Sequence, residues 1–299
     1  MARGSVAAGR PSVRQALRFT SRIAGSDLLS VLMLQADVLL LGAYVGRAPG
    51  VTLASFGVFC AAAELAGGMR KVRQVFDPIF APIVATRALS DDGAALRETV
   101  AGPGRWVLSA QLPLVGVALL ASGTVLSIYG PGFREGALWL ALLGLAHGAN
   151  SFAGLAETLL MIKRPSLNLI NASVTVTVQV IAGVVLIPRL GVTGAALSMC
   201  IGFTLQGILR FAELRHVFGW SWPWPTLRRP LAAFCLAMAP AALARLASGP
   251  RWEFVPALLF LALYVGAWRL LGAEPADREV WRRLTARKSL DSAQPLTRQ

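Results

Sequence analysis

The chain has 299 residues, 55% of them hydrophobic and 15% charged, with a mean hydropathy of +0.60 and a net charge of +14. A soluble chain carries about a quarter charged residues. Here the apolar residues come in blocks of roughly 20, the length that crosses a bilayer core as helix, so soluble multidomain classes are excluded. The basic excess is assigned to cytoplasmic loops rather than to nucleic acid, because no basic-aromatic module accompanies it.

Taken in order, the expected spans are 21–46, 51–89, 106–129, 137–161, 167–187, 192–210, 231–247 and 254–271. Residues 1–20 form a basic N-terminal segment without the apolar core or cleavage site of a signal peptide, so the first span is expected to act as the insertion signal. Most connections are short and rich in Gly or Pro ("GRAPG", "YGPGFREG", "IKRPS", "IPRLG") and join antiparallel neighbours. The second block is different. As one helix it would run about 58 Å at 1.5 Å per residue, so it is either one long, bent span or two spans with the basic stretch "MRKVRQVFD" as a loop.

Positive charge decides between them. With one span and a cytoplasmic N-terminus, 21 Lys and Arg fall inside and 5 outside; splitting the block gives 12 inside and 17 outside. The positive-inside rule therefore favours one long span, both termini cytoplasmic, and Arg70, Lys71 and Arg73 within the membrane. A cation facing lipid at mid-depth costs about 2.5–3.5 kcal/mol even on the mildest scale, so these three should face protein or water. Arg70, Arg73, Gln74 and Asp77 follow the i, i+3, i+4, i+7 spacing of one helical face, and Glu64 shares a neighbouring face with Lys71. Pro78 and Pro82 are expected to bend the helix.

Later spans repeat the pattern. His147, Asn150, Gly154 and Glu157 form a stripe on the fourth, and Asn168, Asn171, Thr175 and Gln179 one on the fifth; Asp27, Gln35 and Asp37 polarise the first. Such stripes serve either as hydrogen-bonded packing networks or as cavity linings. For the cationic group a water-filled cavity suited to anions is favoured.

Other chemistry is not indicated. Cys60, Cys200 and Cys235 lie far apart in apolar blocks, without metal or disulfide spacing. His147 and His216 have no zinc-site neighbours, no local nucleophile motif occurs, and Asp91-Asp92 reads as a solvated or capping pair. No catalytic residue, metal or cofactor is therefore expected. "GWSWPWP", with Trp220, Trp222 and Trp224, reads as an aromatic interface anchor. Gly194, Ser198 and Gly202 form a small-residue face for close helix packing.

Four stretches carry a resemblance: "ADVLLLGAYVG", "VFDPIFAPIVATRALSDDGAALRETV", "LSIYGPGFREGALWLALLGLAHGANSFAGLAETLLMIKRPSLNLIN" and "LIPRLGVTGAALSMCIGF". In this order and spacing they resemble the polysaccharide-biosynthesis and O-antigen flippases of the multidrug/oligosaccharidyl-lipid/polysaccharide exporter superfamily. The resemblance implies an all-α, polytopic transmembrane bundle of about eight spans. Residues 21–215 would be a six-span bundle similar to such an exporter's second lobe. Residues 216–271 would add a cytoplasmic aromatic loop and two extra helices, and residues 272–299 a disordered basic tail.

It further implies a multi-pass protein of the bacterial inner membrane that exports lipid-linked oligosaccharide or polysaccharide precursor, with an undecaprenyl-pyrophosphate-linked glycan as cargo. Membrane lipids, and a second half-transporter or a second copy, are the expected partners. The expected cavity-lining residues are Arg70, Lys71, Arg73, Gln74, Glu64, Asp77, Asn150 and Glu157. The alternative is a non-transporting scaffold or partner subunit of a polysaccharide assembly complex, its polar stripes being packing networks.

Overall fold

The computed structural model describes residues 13–72, 74–75, 78, 86, 93–220, 224–249 and 252–271. These are helical almost throughout. The long elements are α1 (Val13–Ala43), α2 (Leu53–Gly68), α3 (Gly93–Leu120), α5 (Ala137–Lys163), α6 (Pro165–Leu190), α7 (Val192–Phe218), α8 (Trp224–Ala247) and α9 (Phe254–Leu270). A short α4 (Ser122–Leu126) and two 3₁₀ segments join α3 to α5. Among the described residues, α6, α7 and α8 are long and apolar enough to cross a membrane, and α3 with the bent segment after it makes a fourth, turned by 87°. These three or four stand against the eight spans expected.

The outward faces carry large apolar side chains, including Leu28, Ile181, Leu243 and Leu258. In water such a surface would be an aggregation hazard; on a bundle of apolar helices it is the surface that meets lipid.

Two apolar cores lie inside. In the larger, α6 packs on α1 and α7, and α5 packs on α7 and α2, around Leu41, Phe59, Leu143, Ile187 and Phe203. The smaller joins α3 to α8 and α9 around Leu112, Ala233, Ala237 and Phe260. Met69, just past α2, packs with Val115 and Ala118 of α3 in a separate, smaller cluster.

Small residues set the closest approaches. Gly194 lies against the Leu186 carbonyl and Gly202 against the Gln179 side chain, so the face expected from Gly194, Ser198 and Gly202 is the α6–α7 contact. Gly191, between these helices, has φ +58° and would press a Cβ onto the Pro49 carbonyl of the α1–α2 loop. Both the dihedral and the space require glycine there.

Gly116 of α3 faces the ring of Phe260, which is fully buried in α9. Gly116→Ala would gain about 1 kcal/mol in helix propensity, but its methyl would fall inside the ring's van der Waals envelope. Overpacking of this kind costs about 1–3 kcal/mol. A net loss in unfolding free energy is therefore expected in detergent, and an Ala variant as stable as the parent would contradict this packing.

Several boundaries differ from expectation. α1 begins at Val13, inside the segment read as a basic N-terminal extension. α3 begins at Gly93 and α7 continues to Phe218, so Arg105 and Arg210, counted above as loop cations, lie on helices and are buried. α8 starts at Trp224, within the stretch read as an aromatic loop. Amphipathic helix ends extend past the apolar block, and hydropathy detects only the block.

Candidate functional site

The stretch carrying the cations does not continue α2 smoothly. The α-helix ends at Gly68; the Met69 amide bonds back to Ala66, and the Val72 amide to Met69, in tight i→i−3 turns. Helical backbone resumes from Arg70 to Val72. Bending was expected at Pro78 and Pro82; the interruption seen is earlier, after the paired glycines Gly67 and Gly68, where propensity is weakest. Pro82 lies outside the described residues.

Just past this break, Arg70 lines a small, partly open cavity of about 70 Å³ between α1, α5 and α7. Ser30, Met33 and Leu34 line it from α1, His147, Asn150 and Glu157 from α5, and Gln206 and Arg210 from α7. The volume suits a few water molecules or one oxyanion group, on the order of tens of Å³ each.

Arg210 is the anchor of this site. It is 2% exposed and reaches α5 with both guanidinium ends: Nη2 lies 2.9 Å from Glu157 Oε2, and Nη1 donates to Asn150 Oδ1 at 3.2 Å. Asn150 and Glu157 are seven residues apart on one face of α5, and the planar fork of an arginine can engage both where a lysine could not. One turn further along α7, Glu213 accepts a hydrogen bond from Asn171 Nδ2 of α6. His147 is buried with its ring edge-on to Phe203 at 5.2 Å.

Not every partner is found. Arg70 Nε–H is buried without an acceptor among the described residues, and Gln206, 1% exposed, has a buried carbonyl oxygen without a donor. Buried polar atoms are almost always paired, so unpaired ones around a cavity mark a place for water or ligand. A different polar group lies deeper. Asp37 of α1 is 1% exposed and accepts no hydrogen bond from another side chain among the described residues. One turn before it, Gln179 Nε2 donates to the Met33 carbonyl at 2.9 Å.

Of the expected cavity residues, the structure brings together Arg70, Asn150 and Glu157. Lys71, Gln74 and Glu64 carry exposed side chains and do not line this cavity. Arg73 and Asp77 lie outside the described residues. Of the fifth-span stripe, Asn171 and Gln179 make helix-to-helix hydrogen bonds, as a packing network does. The residues that sequence reasoning missed are Gln206 and Arg210. With Glu213 they form a polar stripe at i, i+4, i+7 on α7, a signal hidden by ending that span at Arg210.

Among the described residues, no group of three or more His, Cys, Asp or Glu is placed to hold a metal ion. Among the described residues the cavity is lined by two guanidiniums, Arg70 and Arg210, and by the Glu157 carboxylate paired to Arg210, while the Glu213 carboxylate lies near Arg210 further along α7.

No family model and no curated protein matches the chain. Among solved structures, its fold is similar to that of the lipid II flippase MurJ in an inward closed conformation, with a TM-score of 0.59 and 12% identity. The similarity covers 79% of this chain and 50% of that one, so this chain spans about half the length of the flippase it resembles. At such low identity the likeness concerns the fold, and on that ground the chain has a MurJ-like, all-helical membrane fold.

Proposed function

We propose that this chain is the cation-bearing half of a flippase-type transporter that moves a lipid-linked oligosaccharide or polysaccharide precursor across the bacterial inner membrane. The observation that carries this reading is the convergence of Arg70 and Arg210 on one polar cavity inside the bundle. A diphosphate linking lipid to sugar is the part of such a cargo that needs cations, and buried cations are costly unless they serve a site. The fold likeness to a lipid II flippase supports the transport class.

In this reading both termini are cytoplasmic. Arg70, Arg210 and Glu157 follow or approach the C-terminal ends of α2, α7 and α5, so with that orientation the cavity would lie in the cytoplasmic half, where a precursor made in the cytoplasm would enter. Lys71, Gln74 and Glu64, exposed on the bundle, would be covered by a second bundle from another chain or a second copy. Transporter sites commonly lie between two such halves.

The test is alanine at Arg70, Lys71 and Arg73 together, scored by surface polysaccharide in a strain that depends on this chain. Loss of polymer at normal protein level is expected. Unchanged polymer at normal protein level would refute the reading.

A further inference from the structure

Glu157 has an odd position for a carboxylate in a site meant for anions. It occupies one end of Arg210, while its own side chain remains 19% exposed and lines the cavity. Across the same cavity, Arg70 Nε–H lacks an acceptor and the buried Gln206 carboxamide has an unpaired end. Rotating that carboxamide half a turn presents its NH₂ group instead, since the two ends are interchangeable in shape. Beside the Arg210–Glu157 pair, the cavity thus offers the unmet Arg70 N–H and the Gln206 amide, with the Glu213 carboxylate near Arg210 further along α7.

We propose that Glu157 is an internal stand-in for an oxyanion: a phosphate group entering the cavity displaces its carboxylate from Arg210 and is held by Arg210, Arg70 and Gln206. The inference rests on the transport reading for the identity of the cargo, and on the geometry alone for the anion site. Glu157 supplies the ion pair of Arg210 when the site is empty, which matters because breaking a buried ion pair from one side is strongly destabilising. It also sets the site's selectivity. A ligand must outcompete a carboxylate already in place, and a phosphate with two charges and more acceptor oxygens can do so where chloride cannot.

Inorganic pyrophosphate, titrated into the full chain purified in detergent and followed by calorimetry and unfolding temperature, is the probe. Wild type is expected to bind it and unfold at a higher temperature. Glu157→Gln, which removes the competing charge and keeps the shape, is expected to bind about tenfold tighter. A folded Glu157→Gln that binds no tighter than wild type, or a wild type that binds nothing, overturns the proposal.

Should Glu157→Gln fail to fold, Arg70→Gln decides: about tenfold weaker binding supports the site, and unaltered binding overturns it. Competition by a polyprenyl diphosphate in the same micelles would mark a lipid headgroup as the natural source, and its failure to compete would mark a free anion; either supports the oxyanion site. Pyrophosphate binding with intact surface polymer in the triple-alanine strain would leave this site standing and sink the transport reading alone.

Discussion

Arg210→Ala lowers the unfolding free energy of the purified chain by on the order of 3–5 kcal/mol, the cost of breaking a buried ion pair from one side. The guanidinium is 2% exposed and joins α7 to α5 through both Glu157 and Asn150. Its removal takes from the Glu157 carboxylate its 2.9 Å ion pair in a cavity also lined by Met33 and Leu34. Replacing Arg210 and Glu157 together by methionine is expected to recover most of the loss, because apolar side chains of similar volume often match or exceed a buried pair in stability. Thermal unfolding of Arg210→Met, Glu157→Met and the double closes the cycle. An Arg210→Ala loss below about 1 kcal/mol would mean that the pair behaves like an exposed one.

The same pair shows where sequence reading stops. The block pattern of apolar residues is enough for an all-helical membrane fold because it rests on local composition, whereas a flippase-like bundle follows only from the resemblance of four stretches to known exporters. The stripe on α5 was legible because His147, Asn150 and Glu157 interrupt an otherwise apolar run at helical spacing. Arg210 was not, because an arginine near the end of an apolar run reads as the first residue of a loop. Only tertiary packing shows that α7 continues two more turns and turns this side chain inward.

With Arg105 and Arg210 removed from the loops, one span at residues 51–89 still leaves a large inside excess, and a split still leaves the outside richer.

The expected row of cations on one helical face assumed an unbroken helix. The interruption at Met69 separates α2 from the residues after it, and of the described residues in that row only Arg70 enters the cavity. A break next to a site is common in transporters, where freed backbone and redirected side chains line a polar space. Here it serves two ends at once: Met69 packs into α3 while the next residue, Arg70, turns to the cavity. Any shift of α3 against the larger core would therefore be felt at Arg70.

Beside the apolar core that packs α3 on the last two helices, Glu253 ties them through polar contacts, and Glu253→Ala is expected to loosen that hold by about 2–4 kcal/mol. Glu253 is 5% exposed just before α9. Its Oε2 accepts from the Thr124 amide at 2.9 Å, satisfying a free donor of the first turn of α4. Its Oε1 lies 2.8 Å from Arg245 Nη2 of α8 and 3.7 Å from Arg134 Nη2. One carboxylate thus joins the α3–α4 corner, α8 and α9.

Truncation leaves the Thr124 amide without this acceptor and removes the shared partner of two arginines. Arg245 is a third exposed and also donates to the Leu120 carbonyl, so solvent limits the loss on its side. Glu253→Gln keeps the acceptor for Thr124 and loses the charge, and it should fall between Ala and wild type. Protease cleavage in the α8–α9 turn at Ser248–Gly249 measures the loosening directly: faster cleavage in Ala than in Gln, and in Gln than in wild type, is the expected order. Equal rates in all three would show that the apolar contact of Phe260 with Gly116 and Phe234, rather than Glu253, holds the pair in place.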